Sequence, residues 1–210
     1  MESFITIKEN VHAEVIEKKS KFIANLFYVE TVIEAEEIIN RIKKKYFDAR
    51  HNCIAYRVIE KDRLIEKSSD DGEPSGTAGA PMLNILQKND LVNVLVIVTR
   101  YFGGILLGTG GLVRSYSGTL LEAIEKSEKV EKYYGQELQV VLEYNEYENF
   151  KYYCKNNDIN IVQAEYLENI VCKIELKEQS KAKLMKDFEI KNINLKQIEE
   201  LSKKYITKSK

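Results

Sequence analysis

LVNVLVIVTRYFGGILLGTGGLVRSYS, residues 91–117, starts as the most apolar run in the chain and ends as the start of a helix. Leu91–Arg100 reads as a central strand buried on both faces, because its apolar run is continuous rather than alternating. The glycines that follow break the strand. Beyond them Val113, Tyr116, Leu120 and Ile124 recur at helical spacing on one face. Upstream, SSDDGEPSGTAGAP (68–81) is a second loop of similar texture. Nine of the ten glycines fall between Gly72 and Gly118, and both prolines lie in the same window. Two glycine-rich connections, each leading into a helix, are therefore the organising feature.

Working outward, strand-like runs precede this window at Phe4–Ile7, Ala13–Ile16, Phe22–Val29, Cys53–Ile59 and Arg63–Lys67. TVIEAEEIINRIKKKY (31–46) is a helix, with Thr31 and Glu34 spaced as a capping box. Met82–Gln87 is a short helix. After Gly135 the chain has no glycine or proline and changes character, which puts a domain boundary near 132–136, between a first domain at 1–132 and a second at 136–210. The second region reads strand 138–144, helix 146–155, strands 159–166 and 170–176, helix 180–188 and strand 193–201. Asn145 and Glu148 suggest a capping box for its first helix. That βαββαβ order is the ferredoxin-like arrangement. The fold class expected is α+β, a βα domain followed by a ferredoxin-like one.

Composition narrows the function classes. The net charge is -1, so any nucleic-acid binding must come from a local patch rather than from bulk charge. Cys53, Cys154 and Cys172 are odd in number and far apart, against a disulfide framework, and no Cys-x-x-Cys pair suggests structural zinc. The N-terminal stretch lacks a signal-peptide core, and no apolar run is long enough to span a membrane, so the expectation is a cytoplasmic protein with no membrane partner.

The loops carry the chemistry. In the first, Asp70, Asp71 and Glu73 stand beside Gly72, Ser75, Gly76, Thr77 and Gly79. Small residues let backbone N–H groups approach a ligand, and the next helix aims its positive end there. The loop reads as a phosphate or carboxylate cradle, with the carboxylates suited to Mg²⁺. The alternative is a connection in which the aspartates cap turns. In the second loop Arg100 and Tyr101 stand at the strand exit, followed by Gly103 and Gly104. Gly108, Thr109, Gly110 and Gly111 open the helix, with Arg114 in its first turn. N–H groups, helix dipole and two arginines point to one anion. Only six of 32 basic residues are arginines, and an arginine opposes the dipole at a helix start. The alternative is that the glycines serve close packing. The pattern is neither a Walker A loop nor a Rossmann fingerprint, since Val113 stands where the third glycine belongs.

His51, beside Arg50, is a further candidate as acid, base or phosphate contact. Alternation along a strand puts it on the same face as Cys53, as a Cys–His nucleophile pair would need, but no third group orients it. Lys18, Lys19 and Lys21 make a basic patch, and the tyrosines in and just before the second domain could stack on bases or simply pack.

SSDDGEPSGTAGAPML (68–83) and VTRYFGGILLGTGGLVRSYS (98–117), with KSKFIA (19–24) and DARHNCIAYR (48–57), closely resemble the IMPACT/YigZ family. The resemblance covers about residues 1–128. It implies a first domain sharing the βα fold of the second domain of a small-subunit ribosomal protein. The second domain would be ferredoxin-like, similar to the last domain of elongation factor G. Eukaryotic members regulate translation through a starvation-response kinase pathway; they carry a different extra domain, so the resemblance does not imply that partner for this chain. The family offers no established catalytic residues and no established cofactor. The leading expectation is a non-catalytic RNA- or ribosome-binding protein that influences translation. Two alternatives stand: an enzyme on a phosphorylated small molecule or nucleotide with Mg²⁺, and a protein-interaction adaptor docking through Asp70–Glu73. The GHMP kinases share the general fold, but their serine-rich loop is missing.

Overall fold

The apolar run becomes β6 (Val94–Tyr101), the middle strand of a five-stranded sheet in a computed structural model that describes residues 3–61 and 63–207. Its neighbours are β3 (Ser20–Tyr28) and β4 (His51–Glu60), with β2 (Val11–Glu17) and β5 (Arg63–Ser69) at the edges; β1 (Ser3–Ile7), the strand expected at Phe4–Ile7, is not part of this sheet. Every pairing in this sheet is antiparallel. Leu95 and Ile97 face α1 (Val32–Lys45), while Val94, Val96 and Val98 face α2 (Gly79–Lys88) and α3 (Gly108–Lys126). A continuous apolar strand therefore records helices on both faces. Double coverage, usual for parallel sheets, is achieved here in an antiparallel one. Burying each such side chain contributes roughly 1.5–3 kcal/mol, so the centre of this sheet anchors both loops at its ends.

Local signals held unevenly. Thr31 caps α1, its Oγ1 accepting from the Glu34 N–H at 3.1 Å. The Glu34 carboxylate accepts instead from the Glu30 N–H, one residue short of the expected box. On α3 it is Leu112, not Val113, that enters the core with Tyr116, Leu120 and Ile124. β2 and β3 are joined by Lys18 and Lys19, both with positive φ (44° and 66°). That is the backbone of a two-residue hairpin turn usually filled by Asn-Gly. Lys21 is paired with Glu14 at 2.6 Å.

The chain divides between Val130 and Glu131, within β7 (Lys129–Leu142) rather than in a separate linker. In the second unit β10 (Gln197–Thr207) and β9 (Ile170–Leu176) flank β7, and β8 (Asn160–Tyr166) lies outside β9, all antiparallel. The order β10-β7-β9-β8, with α4 (Tyr147–Asn156) and α5 (Glu178–Glu189), is the ferredoxin-like one. The Asn145–Glu148 capping box is absent. Tyr144–Glu146 forms a 3₁₀ turn that enters α4 directly, and no side chain caps the helix. β10 starts four residues later than expected, although Ile193 and Leu195 still pack on the core. Tyr144 and Tyr147 pack against Tyr166, Tyr134 against Tyr205, and the Tyr153 hydroxyl donates to Asp187.

Candidate functional site

The first loop closes on itself. α2 has no cap from its own N-cap residue Ala78. The Asp70 carboxylate, eight residues upstream, does that work. It accepts from the N–H groups of Gly76 (2.8 Å), Ala78 (2.9 Å) and Gly79 (2.8 Å). Partial burial acts to raise the Asp70 pKa, but these backbone bonds outweigh it and hold the carboxyl below the usual carboxylate range. The amides expected to cradle a phosphate are thus already filled by an internal carboxylate. Gly79 is needed for packing as well, because a Cβ there would lie 2.7 Å from the Ser69 backbone nitrogen.

Nor do the carboxylates converge on a cation. Asp71 accepts from Lys43 Nζ and from the Asn52 N–H, each at 2.7 Å. Glu73 turns the other way and is buried. Among the described residues no group of three or more His, Cys, Asp or Glu side chains is placed to hold a metal. The expected Mg²⁺ site in this loop is therefore not assembled, because each acid serves a different structural partner. Asp70→Ala should lower stability by about 2 kcal/mol at neutral pH, as loss of a strong N-cap does. Because the folded pKa is depressed, Asp70 stabilises above its unfolded value and the effect fades as pH falls through the folded one. Urea unfolding of wild type and variant at pH 7 and pH 3 checks both statements; the difference should shrink at pH 3.

Between the two loops lies a cleft of about 410 Å³, walled by Arg50, His51, Glu73, Arg100, Phe102 and the first turn of α3. Glu73 Oε1 accepts from Arg100 Nη1 (2.7 Å) and from the Tyr116 hydroxyl (2.8 Å). His51 Nδ1 sits 2.8 Å from the Asp71 carbonyl, which can only accept, so Nδ1 carries the proton. Its Nε2 then faces Glu73 Oε2 at 3.9 Å. Arg100 is 6% exposed and lies 5.5 Å from the ring centres of both Phe22 and Phe102. Its Nε has no hydrogen-bond partner. Cys53 donates to the Asp70 carbonyl at 2.9 Å, and burial pushes its thiol up to about 12, so it stays protonated beside His51.

The start of α3 contrasts with α2. No side chain caps it, Gly108 and Thr109 open onto the cleft, and a Cβ at Gly110 would meet only Arg114 Nη1, at 3.6 Å. A glycine in a helix costs about 1 kcal/mol relative to alanine; Gly108 has φ of 70° and a Cβ at Gly111 would lie 3.0 Å from Leu107 Cβ, whereas neither constraint applies at Gly110. Gly103 is the opposite case. Its N–H donates to Ser20 Oγ, and a Cβ would fall 2.0 Å from the Lys19 carbonyl carbon. The two arginines do not meet. Arg100 belongs to the cleft, whereas Arg114 lines a separate recess with Lys18. Tyr101 is engaged with Asp48 at 2.8 Å.

Residues 18–124 match the Impact N-terminal domain, and residues 140–188 match a domain of unknown function (DUF1949). The chain belongs to the IMPACT family. It is 39% identical over 170 residues to the IMPACT family member YvyE of Bacillus subtilis (strain 168), covering 81% of this chain and 78% of that one. It is 33% identical to the family member YigZ of Escherichia coli (strain K12) over 87% of this chain and 92% of that one. A crystal structure of a hypothetical protein is similar over 96% of this chain and 98% of its own, with a TM-score of 0.64 and 30% identity.

In this IMPACT-family chain, sequence reasoning missed Phe102 and Leu106 as cleft residues and Tyr116 as a partner of Glu73. Phe102, two residues beyond Arg100, was the available signal: an exposed aromatic beside an arginine. The helical spacing of Tyr116 predicts a core position, which holds for its ring and says nothing of its hydroxyl. Among the described residues no helix is long and apolar enough to cross a membrane. What the site offers is a cationic, partly apolar wall facing unused helix amides. That combination suits an anion carried on a flat apolar group.

Proposed function

We propose that this protein is a non-catalytic RNA- or ribosome-binding factor acting in the regulation of translation in the cytoplasm. One observation carries the reading: the uncapped start of α3 opens into the cleft that holds Arg100, whose buried Nε lacks a partner. Arg50, exposed on the same wall, has no ion pair among the described residues. Phosphate oxygens suit all three, and Phe102 supplies a face on which a base can stack. The groups able to make or break bonds are committed elsewhere, Glu73 to Arg100 and Tyr116, and Cys53 to its protonated state. The regulation of translation by eukaryotic members, which the resemblance brings in, points in the same direction. The adaptor alternative loses its acidic surface, because Asp70 and Glu73 point inward to their partners.

Thr109→Glu separates binding from folding. A carboxylate in the first turn favours the helix dipole by about 0.3–1 kcal/mol, so stability should hold or rise. The same charge repels a phosphate, so affinity for single-stranded RNA, followed by fluorescence anisotropy, should fall at least tenfold. Arg50→Ala should weaken binding and reduce the salt slope by about one. Unchanged RNA affinity in Thr109→Glu would sink the proposal, and binding of free nucleotides alone would favour the small-molecule alternative.

A further inference from the structure

The cleft is not the only basic feature at the start of α3. Lys18 and Arg114 line a second recess of about 310 Å³ on the other side of Leu107, a residue common to both walls. Both cations are exposed, and neither has an ion-pair partner among the described residues. In contrast, the nearby Lys21, Lys43 and Arg100 are each paired with a carboxylate. The second recess is held in place by the fold. Gly103 lets the second loop lie directly on the Lys18–Lys19 turn, an approach that no Cβ would permit.

The two recesses differ in character. The first adds apolar surface to its charge: Phe102 is 43% exposed and Leu106 84% exposed. A duplex offers sugars and phosphates to such a wall and keeps its bases stacked inside. A splayed nucleotide brings a base to cover the apolar part and a phosphate to reach the helix amides. The volume also suits one nucleotide, at the lower end of the usual range for small-ligand pockets. The second recess has two cations, Lys18 and Arg114, against one carboxylate, Glu17, and no aromatic side chain, and so suits the phosphate of the next nucleotide.

From this arrangement, and resting on the RNA-binding reading above, we infer that the ligand is a single strand crossing the first turn of α3. One nucleotide sits unstacked in the cleft, and the following phosphate lies between Lys18 and Arg114. Gly110 carries no side chain on this path, and Arg114 Nη1 lies 3.6 Å from where its Cβ would stand, so a strand's backbone close to the helix meets that guanidinium.

The test compares a 5′-phosphorylated mononucleoside, a 5′-phosphorylated trinucleotide and a duplex of twelve base pairs, binding to wild type, Arg50→Ala and Arg114→Ala. Lys18→Ala serves as a second probe of the outer recess, and circular dichroism verifies that each variant is folded. Arg50→Ala should weaken both the mononucleoside and the trinucleotide. Arg114→Ala and Lys18→Ala should weaken the trinucleotide about fivefold to tenfold and leave the mononucleoside unchanged. The duplex should bind at least tenfold more weakly than the trinucleotide. Duplex binding that equals or exceeds trinucleotide binding, and still depends on Arg50, would overturn the single-strand path while sparing the RNA reading. Equal losses for mononucleoside and trinucleotide in Arg114→Ala would also overturn it. No binding of any RNA form would overturn both.

Discussion

Arg100→Met should destabilise the first unit by about 3–5 kcal/mol, the largest effect expected from any single change in the site. Glu73 is buried with its carboxylate aimed at Arg100 Nη1 and the Tyr116 hydroxyl, and its side chain is only 3% exposed. Removing the cation leaves an anion out of water with one neutral donor and His51 at 3.9 Å. The paired change Arg100→Met/Glu73→Leu should recover most of the loss, because two apolar groups of similar volume carry no desolvation penalty. Urea midpoints of the single and double variants give the coupling directly. A single variant within 1 kcal/mol of wild type would show that Glu73 is not held as a charged acceptor. RNA affinity should stay low in the double variant, since the cleft has then lost its buried guanidinium while regaining its packing.

Gly103→Ala ranks second. The added Cβ would lie 2.0 Å from the Lys19 carbonyl carbon and 2.3 Å from the Ser20 nitrogen. Both are backbone atoms in a turn whose two central residues already hold positive φ. Neither can rotate away, so the loop and the hairpin must separate. The cost should be about 3 kcal/mol, at the upper end for overpacking. Gly110→Ala, seven residues on, meets only the flexible end of Arg114 at an ordinary contact distance of 3.6 Å and should instead stabilise by about 0.5–1 kcal/mol. Thermal unfolding of the two variants should therefore move Tm in opposite directions. A stabilised Gly103→Ala would mean that the approach to Lys19 is not tight in solution.

Much of the fold was legible because it rests on short-range pattern. The unbroken apolar run at 94–98 demanded cover on both faces, and glycines marked where strand gave way to helix. The α1 cap could be read because Thr31 and its partner are three residues apart. Asn145 and Glu148 showed the same spacing and failed, because Tyr144–Glu146 turns as a 3₁₀ segment and so removes the extended N-cap conformation. The site was less legible, because its contacts are long in sequence. Nothing in SSDDGEPSGTAG says that Asp70 reaches forward to cap α2, yet that one contact turns an apparent anion cradle into a closed loop. Arg100 and Arg114 looked like a pair from their spacing. The first ends a strand and stays in the sheet's plane of burial, whereas the second lies past the helix start and faces the Lys18 recess. Only the distribution of partners separates the two loops: the first has spent its amides and acids internally, and the second has not.

That difference can be measured on the backbone itself. Amide resonances of the ¹⁵N-labelled protein, followed during titration with a 5′-phosphorylated trinucleotide, report each N–H separately. The account predicts saturable shifts at Thr109, Gly110 and the Arg100 Nε–H, with Gly76, Ala78 and Gly79 unmoved because Asp70 already occupies them. Shifts centred on Gly76–Gly79 with the start of α3 silent would contradict it.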